Sequence, residues 1–241
     1  MTVIFVHGVP ETARIWDPLI AELDLAEAVA LRLPGFGSDL PDGFAPNKEN
    51  YGAWLLDEIA PLEEVHLVGH DWGALLVTGI LATQPSNVAS WVIDTGDLNQ
   101  DFKWHATAKI WQTPGEGEAF MESWLAATPE ERAAGLMTMG APAEGARWMG
   151  EDADATMGQA ILGLYRSAVN VAEEWGPGID SWNLPGLLIG SANDPFRKPR
   201  FTQSLAKRTG AKVLDLPDAG HWWMLEMPEV VAPALREFWG M

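Results

Sequence analysis

The sequence predicts an α/β fold with a mostly parallel sheet of about six strands, helices on both faces and one helical insertion. Six short apolar runs, rich in β-branched residues, are separated in most places by stretches with helical periodicity. Strands that alternate with helices are typical of a parallel sheet. The chain of 241 residues is long enough to bury one sizeable core, so we expect one α/β domain that carries an insertion.

The elements are predicted in order from these runs. Strands are expected at residues 2–6, 28–33, 65–68, 88–93, 186–189 and 212–216, with helices around residues 54–59, 74–82 and 202–208. The interval from residue 98 to residue 182 has no convincing strand and is rich in helix formers and tryptophan. We therefore predict a core of residues 1–97 and 183–241, and a helical cap of residues 98–182.

The charge balance is strongly acidic, with 34 Asp and Glu against 15 Lys and Arg and a net charge of −19. Because phosphate groups are bound by clustered cations, this balance argues against nucleic acid and anionic membranes as partners. The absence of cysteine excludes disulfides and thiolate metal sites. With no apparent signal peptide and no apolar stretch long enough to span a bilayer, we expect a cytoplasmic protein.

Polar residues follow the predicted strands at the edge of the sheet where catalytic groups gather in such folds. The segments are HGVPE, GHDWG, IDTGD, GSANDPF and DAGHWW. They place Asp71, Asp194 and His221 at strand ends in the chain order nucleophile, acid, histidine. Asp94, in IDTGD, is an alternative to Asp194 as the acid that orients the histidine.

Asp71 lies in a G-x-D-x-G segment, where a serine stands in the related nucleophile elbow. The two glycines suit a strained strand-to-helix turn, because the backbones approach there too closely for side chains. An isolated match of this kind would be interpreted as a helix cap. Here three strand-end features agree, and we interpret Asp71, His221 and Asp194 as a catalytic triad. His7 and His70 are interpreted as structural residues that hold turn backbones by hydrogen bonds.

A carboxylate in the elbow favours one kind of chemistry. Asp71 is already charged, so it attacks carbon without losing a proton, and at an alkyl carbon with a leaving group it forms an ordinary ester. At an acyl ester it would form an anhydride, which argues against lipase, esterase and peptidase activity. His221 then activates water to hydrolyse the ester, while the backbone N–H groups of Val9 and Trp72 hold the oxyanion.

The chain resembles the α/β-hydrolase branch that contains epoxide hydrolases and haloalkane and haloacid dehalogenases. The resemblance covers essentially the whole chain through HGVPET, LRLPGFG, LVGHDWGA, GSANDPF and GHWWMLEMPE. It implies an α/β-hydrolase fold with a helical cap, Asp71 as nucleophile for either substrate, and neither a cofactor nor a metal. Members usually have two more strands before the HG strand, so we expect an N-terminally shortened sheet with a less protected edge. Whether a homodimer covers that edge is left open.

Segments of the cap favour an epoxide as substrate. LYRSA, around Tyr165, resembles the YRN segment that carries one ring-opening tyrosine in epoxide hydrolases, and IWQTPGEGE resembles the start of their cap. The second tyrosine is missing, and Thr107 lies about where it should be. His105 precedes Thr107 by two residues, and the WH there resembles a subset of epoxide hydrolases with a His/Tyr pair. The alternatives are a packing aromatic for Tyr165 and an exposed helix histidine for His105.

Two other functions stay open at this stage. Asp71 serves equally in a dehalogenase, whose halide needs N–H donors such as the indoles of Trp72 and the cap tryptophans. However, Val9 replaces the Asn that one dehalogenase group uses, and the arginines of the cap form no recognisable pair for a haloacid. The third interpretation is a binding protein of this fold without turnover. Hydrolysis of an epoxide on a hydrophobic small molecule is the leading prediction.

Overall fold

A sheet of six parallel strands lies at the centre of the protein. The computed structural model describes residues 1–241, except for the side chain of Pro199. The strands are β1 (Thr2–Val6), β2 (Ala28–Leu31), β3 (Val65–Gly69), β4 (Val88–Ile93), β5 (Gly186–Ser191) and β6 (Lys212–Leu216). They lie in the order β2-β1-β3-β4-β5-β6, and every neighbouring pair is parallel. The predicted sheet of about six strands is confirmed.

Helices surround the sheet, and half of the α-helices lie between β4 and β5 in the chain. They are α1 (Asp17–Leu23), α2 (Lys48–Ile59), α3 (Trp72–Leu81), α4 (Ala106–Gln112), α5 (Glu116–Ala126), α6 (Pro129–Thr138), α7 (Ala143–Asp152), α8 (Ala155–Ser167), α9 (Val171–Glu174), α10 (Pro199–Thr209), α11 (Trp223–Glu226) and α12 (Pro228–Phe238). Helices α4 to α9 lie between β4 and β5, and the described residues of that interval contain no strand. The division into a core and a separate cap stays an interpretation of the sequence. Within the described chain, no helix has the length and apolar character needed to cross a membrane.

Helices cover both faces of the sheet, as predicted. Along β1, Val3 and Phe5 belong to the apolar cluster that includes α1 and α12, whereas Ile4 and Val6 belong to the one that includes α2 and α3. These four side chains are at most 2% exposed. The four central strands β1, β3, β4 and β5 are buried along nearly their whole length, whereas the edge strands β2 and β6 have exposed residues. The site at the strand ends is therefore carried by a sheet whose centre is buried.

The turn between β3 and α3 is tight. Asp71, at its apex, has φ 49° and ψ −117°, a conformation that costs energy for any residue other than glycine. A Cβ on Gly69 would lie 2.8 Å from the backbone of Ala74, and one on Gly73 would lie 2.0 Å from the carbonyl oxygen of Val6. These distances confirm the reason expected for both glycines of the G-x-D-x-G segment.

Replacement of Gly73 by alanine is expected to lower the free energy of unfolding by about 3 kcal/mol, because α3 would have to move away from β1. Gly135→Ala is the matched control, since an added Cβ on Gly135 in α6 meets no described atom within 4 Å outside its own helix backbone. The control is expected to raise the free energy of unfolding by about 0.5–1 kcal/mol. Urea unfolding measures both variants, and equal effects would contradict the close approach at Gly73.

Candidate active site

Asp71 lies between the end of β3 and the first turn of α3, with 22% of its side-chain surface accessible. The backbone N–H of Val9, in the loop after β1, donates to its Oδ1 over 3.1 Å. The structure thus brings one of the two predicted oxyanion donors to the carboxylate itself. The other, Trp72, is the first residue of α3, and its indole is fully buried.

His221 follows β6, and its ring lies near the carboxylate of Asp71. Its Nδ1–H donates to Oδ2 of Asp194 over 2.9 Å, and its Nε2 lies 4.0 Å from Oδ2 of Asp71. The first distance is a hydrogen bond and the second is not. The histidine is therefore oriented by Asp194, and its other ring nitrogen stands near Asp71 without a hydrogen bond to it.

Asp94, the alternative acid, lies at the end of β4 and contacts a different histidine. Its Oδ2 accepts hydrogen bonds from Nδ1–H of His70 and from the Trp223 indole, the latter over 2.7 Å, and its Oδ1 accepts the Asp71 backbone N–H over 3.2 Å. Of the two candidate acids, Asp194 is the one that contacts His221. Asp94 instead holds the backbone of the strained elbow.

Glu11 is a buried residue of the site that the sequence analysis did not identify. Its side chain is fully buried after the HG loop, and it accepts hydrogen bonds from three donors. These donors are the Gly8 N–H at 2.8 Å, Nε2–H of His70 at 3.0 Å and the Trp222 indole at 2.7 Å. Glu11 therefore links three of the loops that carry predicted catalytic groups. The only signal in the sequence was an acidic residue in HGVPE, directly after an apolar strand.

The pair of carboxylates around His70 fixes its charge. Burial alone disfavours the imidazolium, but the charges of Glu11 and Asp94 raise the pKa of His70 well above its usual value. Burial would likewise raise the pKa of Glu11 and of Asp94, and the charge of His70 brings both below their usual values. His70 was predicted to hold turn backbones, and it instead forms a buried ion-pair network. The difference arises because Glu11 places a second carboxylate beside its ring.

The same network contains the one group of side chains, among the described residues, whose potential ligand atoms lie close enough together to hold a metal ion. Ligand atoms of Glu11, His70 and His221 all lie within 4.8 Å of one another. All three residues already take part in hydrogen bonds, because Glu11 accepts from His70 and Trp222 while Nδ1–H of His221 donates to Asp194. A cation would have to replace these bonds, so we interpret the cluster as an ion-pair network.

His7 has the structural role predicted for it. Its Nδ1–H donates to the carbonyl of Gly8 over 2.8 Å, and its Nε2 accepts the N–H of Leu33 over 3.3 Å. Burial lowers the pKa of His7 to about 4, so the ring is neutral at physiological pH. It joins the HG loop to the segment that follows β2.

Burial acts on the pKa values of Asp71 and His221 in opposite directions. Burial raises the pKa of Asp71 above its usual value, although attraction to His221 and His70 offsets part of this effect. For His221 burial acts to lower the pKa, but the charge of Asp194 outweighs it and the pKa is raised. The ionised form of Asp71 is thus less stabilised than that of a free carboxyl group, and the protonated form of His221 is more stabilised than that of a free histidine.

Asp194→Asn is expected to lower the pKa of His221, because Asp194 makes the largest contribution that raises it. Asp94→Asn is the matched variant, since Asp94 is an equally buried carboxylate that contacts His70 instead. NMR titration of the His221 ring measures both variants. A larger shift in Asp94→Asn than in Asp194→Asn would contradict the assignment of Asp194 as the orienting acid.

A cavity of about 320 Å³ lies in front of Asp71 and His221. Beyond these two residues, its polar side chains are His105, Thr107 and Tyr165, and the described lining contains no Lys, Arg, Asn or Gln. The remainder of the wall is aromatic and aliphatic, and it includes Trp111, Phe120, Trp124, Ile161, Phe196 and Trp222. The cavity therefore combines a few polar groups with an apolar surface, as small-molecule sites do.

The structure brings the predicted ring-opening pair to this cavity. Tyr165, on α8, is 2% exposed, and burial together with the charge of Asp71 raises its pKa well above the usual value. His105 precedes α4, and its Nδ1 accepts the N–H of Ala108 over 3.2 Å. Because Nδ1 is an acceptor, the proton of the neutral ring is on Nε2. Both residues are protonated donors at neutral pH.

Two indole N–H groups near the cavity have no hydrogen-bond partner among the described residues. They belong to Trp72 and Trp111, and both nitrogens are buried. The ring of Tyr165 packs edge-on against both, with centroids 5.2 Å from Trp72 and 4.7 Å from Trp111. A buried, unsatisfied N–H is costly, and of the two residues Trp111 lines the cavity, so its N–H is available to an acceptor on a bound molecule.

A parallel sheet with a tight strand-to-helix elbow, an acid and a histidine at its strand ends is typical of the α/β hydrolases. The chain matches the alpha/beta hydrolase family over residues 3–234, and it belongs to that family. The family assignment and the six-stranded sheet confirm the fold predicted from the sequence. They also show that the protein is of the hydrolase type.

Solved structures and curated proteins with similar chains carry several activities. An epoxide hydrolase from Bacillus megaterium superposes with a TM-score of 0.80 at 20% identity, covering 100% of this chain and 93% of that one. The DbeA-M1 loop variant of a Bradyrhizobium elkanii haloalkane dehalogenase gives 0.76 at 19% identity, covering 99% and 90%. An (E)-2-((N-methylformamido)methylene)succinate hydrolase from Acinetobacter baylyi is 22% identical over 97% of this chain and 88% of its own. At these identities the structural likeness establishes the fold.

Proposed function

We propose that the protein hydrolyses an epoxide to a diol, with Asp71 as nucleophile, His221 as base and Asp194 as the acid that orients it. The observation that carries the proposal is the pair of protonated donors, Tyr165 and His105, in an apolar cavity that also contains Asp71. An epoxide oxygen leaves as an alkoxide, which is a poor leaving group unless a donor meets it. The substrate that suits this wall is an uncharged hydrophobic small molecule.

The steps follow from the positions of these groups. A carboxylate oxygen of Asp71 attacks an epoxide carbon, the C–O bond of the ring breaks, and the oxygen takes a proton from Tyr165 while His105 donates a hydrogen bond. His221 then removes a proton from water, and the hydroxide attacks the ester carbon of Asp71. The tetrahedral oxyanion is held at the Val9 N–H. Collapse breaks the ester C–O bond, and the departing alkoxide takes the proton of the Asp71 carboxyl group to give the diol. The proton on His221 returns to Tyr165, so the sum is conversion of the epoxide and one water to the diol.

A dehalogenase is the second candidate, favoured by the unpartnered indole N–H of Trp111 in the wall of the cavity. A halide is weakly basic and needs hydrogen-bond donors rather than a proton. The first half-reaction is otherwise the same, because Asp71 displaces the halide and forms the same kind of ester. The two functions therefore differ in the leaving group alone.

The deciding experiment is intact-mass analysis of His221→Gln after incubation with styrene oxide or with 2-bromoethylbenzene, which share a carbon skeleton. Without the base, an ester on Asp71 is expected to accumulate. A gain of the whole epoxide mass supports the proposal, whereas a gain of the bromide mass less HBr, with no epoxide adduct, supports a dehalogenase. The control is Asp71→Asn/His221→Gln, which should form neither. An absence of both adducts would contradict both functions and favour a binding protein without turnover.

A further inference from the structure

Phe196 has an exposed ring at the wall of the cavity. It follows Asp194 by two residues, and 41% of its surface is accessible, a large fraction for a phenylalanine. The same ring also borders a small pocket of about 60 Å³ between the end of β4 and the start of α10. Phe196 therefore lines both the cavity that contains Asp71 and the smaller pocket next to it.

The ring of Phe196 packs between two imidazoles. Its centroid lies 4.9 Å from that of His221 and 5.2 Å from that of His105, with interplanar angles of 67° and 56°. Tilted contacts of this kind are favourable between aromatic rings. His221, the proposed base for ester hydrolysis, and His105, a proposed donor to the epoxide oxygen, thus both contact the ring of Phe196.

The backbone of Phe196 is tied to the same group that orients His221. Its N–H donates to Oδ1 of Asp194 over 2.8 Å, while Oδ2 of Asp194 accepts from His221. One carboxylate therefore fixes the position of the histidine and of the ring that covers it. A displacement of Phe196 is transmitted to His221 through both the ring contact and the carboxylate.

Burial has a measurable effect on His105. It lowers the pKa of His105 below its usual value, and the charge of His221 acts in the same direction. The other titratable groups that line the cavity are Asp71 and Tyr165. Charged side chains on the adjoining segments are Lys103 and Lys109 beside His105, and Arg197 and Lys198 after Phe196.

We propose that Phe196 is a positioning residue of the hydrolysis described above: its ring holds His105 and His221 in place and closes the gap between them to bulk water. The inference rests on the proposed function for its catalytic consequence, but the geometry of the two imidazoles does not depend on the substrate. The water that attacks the ester is then the one beside His221 and Asp71, because bulk water does not enter between the imidazole rings of His105 and His221. Closure also keeps the donors of the cavity in surroundings where their hydrogen bonds are strong.

Phe196→Ala is expected to lower kcat roughly 10- to 100-fold, because the two imidazoles lose a common contact and shift from their working positions. In the same variant the pKa of His105 should rise toward the usual value for histidine, since water reaches the ring. NMR titration measures this directly, because the chain has five histidines and His105→Gln identifies the signal. Phe196→Leu keeps an apolar side chain and should show smaller changes in both quantities, which guards against a folding defect in the alanine variant.

Two control variants separate positioning from mere opening of the cavity. Met139→Ala removes another cavity-lining side chain that is 45% exposed and should change KM without moving the pKa of His105. Phe201→Ala, on α10 beside Lys198 and Arg200, should change neither kcat nor the pKa of His105. An unchanged kcat or an unchanged His105 pKa in Phe196→Ala would overturn the inference, as would an equal pKa shift in Met139→Ala. The titration needs no turnover, so failure of the proposed epoxide reaction is recognised separately from failure of this inference.

Discussion

Asp71→Asn is expected to lose about 10⁴-fold or more of the turnover, because the amide cannot form the ester on which the proposed reaction depends. Initial rates with the epoxide identified by the adduct experiment measure the loss. Asp57→Asn, an exposed carboxylate on α2, is the matched control and should retain full activity. Intact mass of the purified variant excludes deamidation back to Asp. A folded, amide-containing variant that keeps more than about 1% of the activity would contradict a nucleophilic Asp71.

The same variant is expected to fold at least as stably as the natural chain. Burial raises the pKa of Asp71, which means that its ionised form is disfavoured in the folded state at neutral pH. An amide removes that cost, and its oxygen still accepts the N–H of Val9. Loss of activity without loss of stability is the pattern of a residue kept for chemistry.

Glu11→Ala is expected to lower the free energy of unfolding by about 3–5 kcal/mol, the range for removing one partner of a buried ion pair. The change leaves the N–H of Gly8, Nε2–H of His70 and the indole of Trp222 without their acceptor. Urea unfolding followed by tryptophan fluorescence measures the loss. Glu22→Ala, an exposed residue of α1, should stay within about 0.5 kcal/mol. A loss for Glu11→Ala no larger than for Glu22→Ala would contradict the network.

The pH dependence of this loss has a defined sign. The pKa values of Glu11 and Asp94 are lowered on folding, so their contribution is present above the usual carboxyl pKa and is lost as the pH falls through the folded values. The pKa of His70 is raised, so its contribution is complete below about 6.5 and is lost as the pH rises through the folded value. The difference between the natural chain and Glu11→Ala should therefore be largest between about pH 5 and pH 6.5. A difference that grows steadily toward high pH would contradict the ionisation assigned to His70.

The sequence predicts the sheet because its strands are short runs rich in apolar residues, which buried strands require, although the edge strand β6 also carries Lys212 and Asp215. It predicts the elbow because two glycines flank Asp71 at the spacing that the tight turn needs. It also places Asp71, Asp194 and His221 near one edge, since parallel strands end on the same side. The structure brings these three residues together, and their catalytic roles stay a proposal.

The sequence could not separate Asp194 from Asp94, because both follow neighbouring strands of the sheet. The choice depends on which loop turns toward His221, and that is decided by contacts between residues far apart in the chain. Glu11 and Phe196 were missed for the same reason. Glu11 meets its indole partner 211 positions later, and Phe196 meets His105 from another segment. Propensity and periodicity describe neighbours along the chain, and they carry little information on such contacts.

The absence of Lys, Arg, Asn and Gln from the described lining of the cavity has a consequence for how the protein distinguishes one molecule from another. An uncharged ligand that enters loses its hydration and meets a wall that is apolar apart from Asp71, His221, His105, Thr107 and Tyr165, so away from those groups the cavity acts much like an organic solvent of limited volume. Selectivity along a homologous series should then follow partition coefficients. Each added methylene would improve kcat/KM by about fourfold, the equivalent of about 0.8 kcal/mol, until the 320 Å³ are filled. Past that length the gain should stop abruptly, since a packed wall does not stretch.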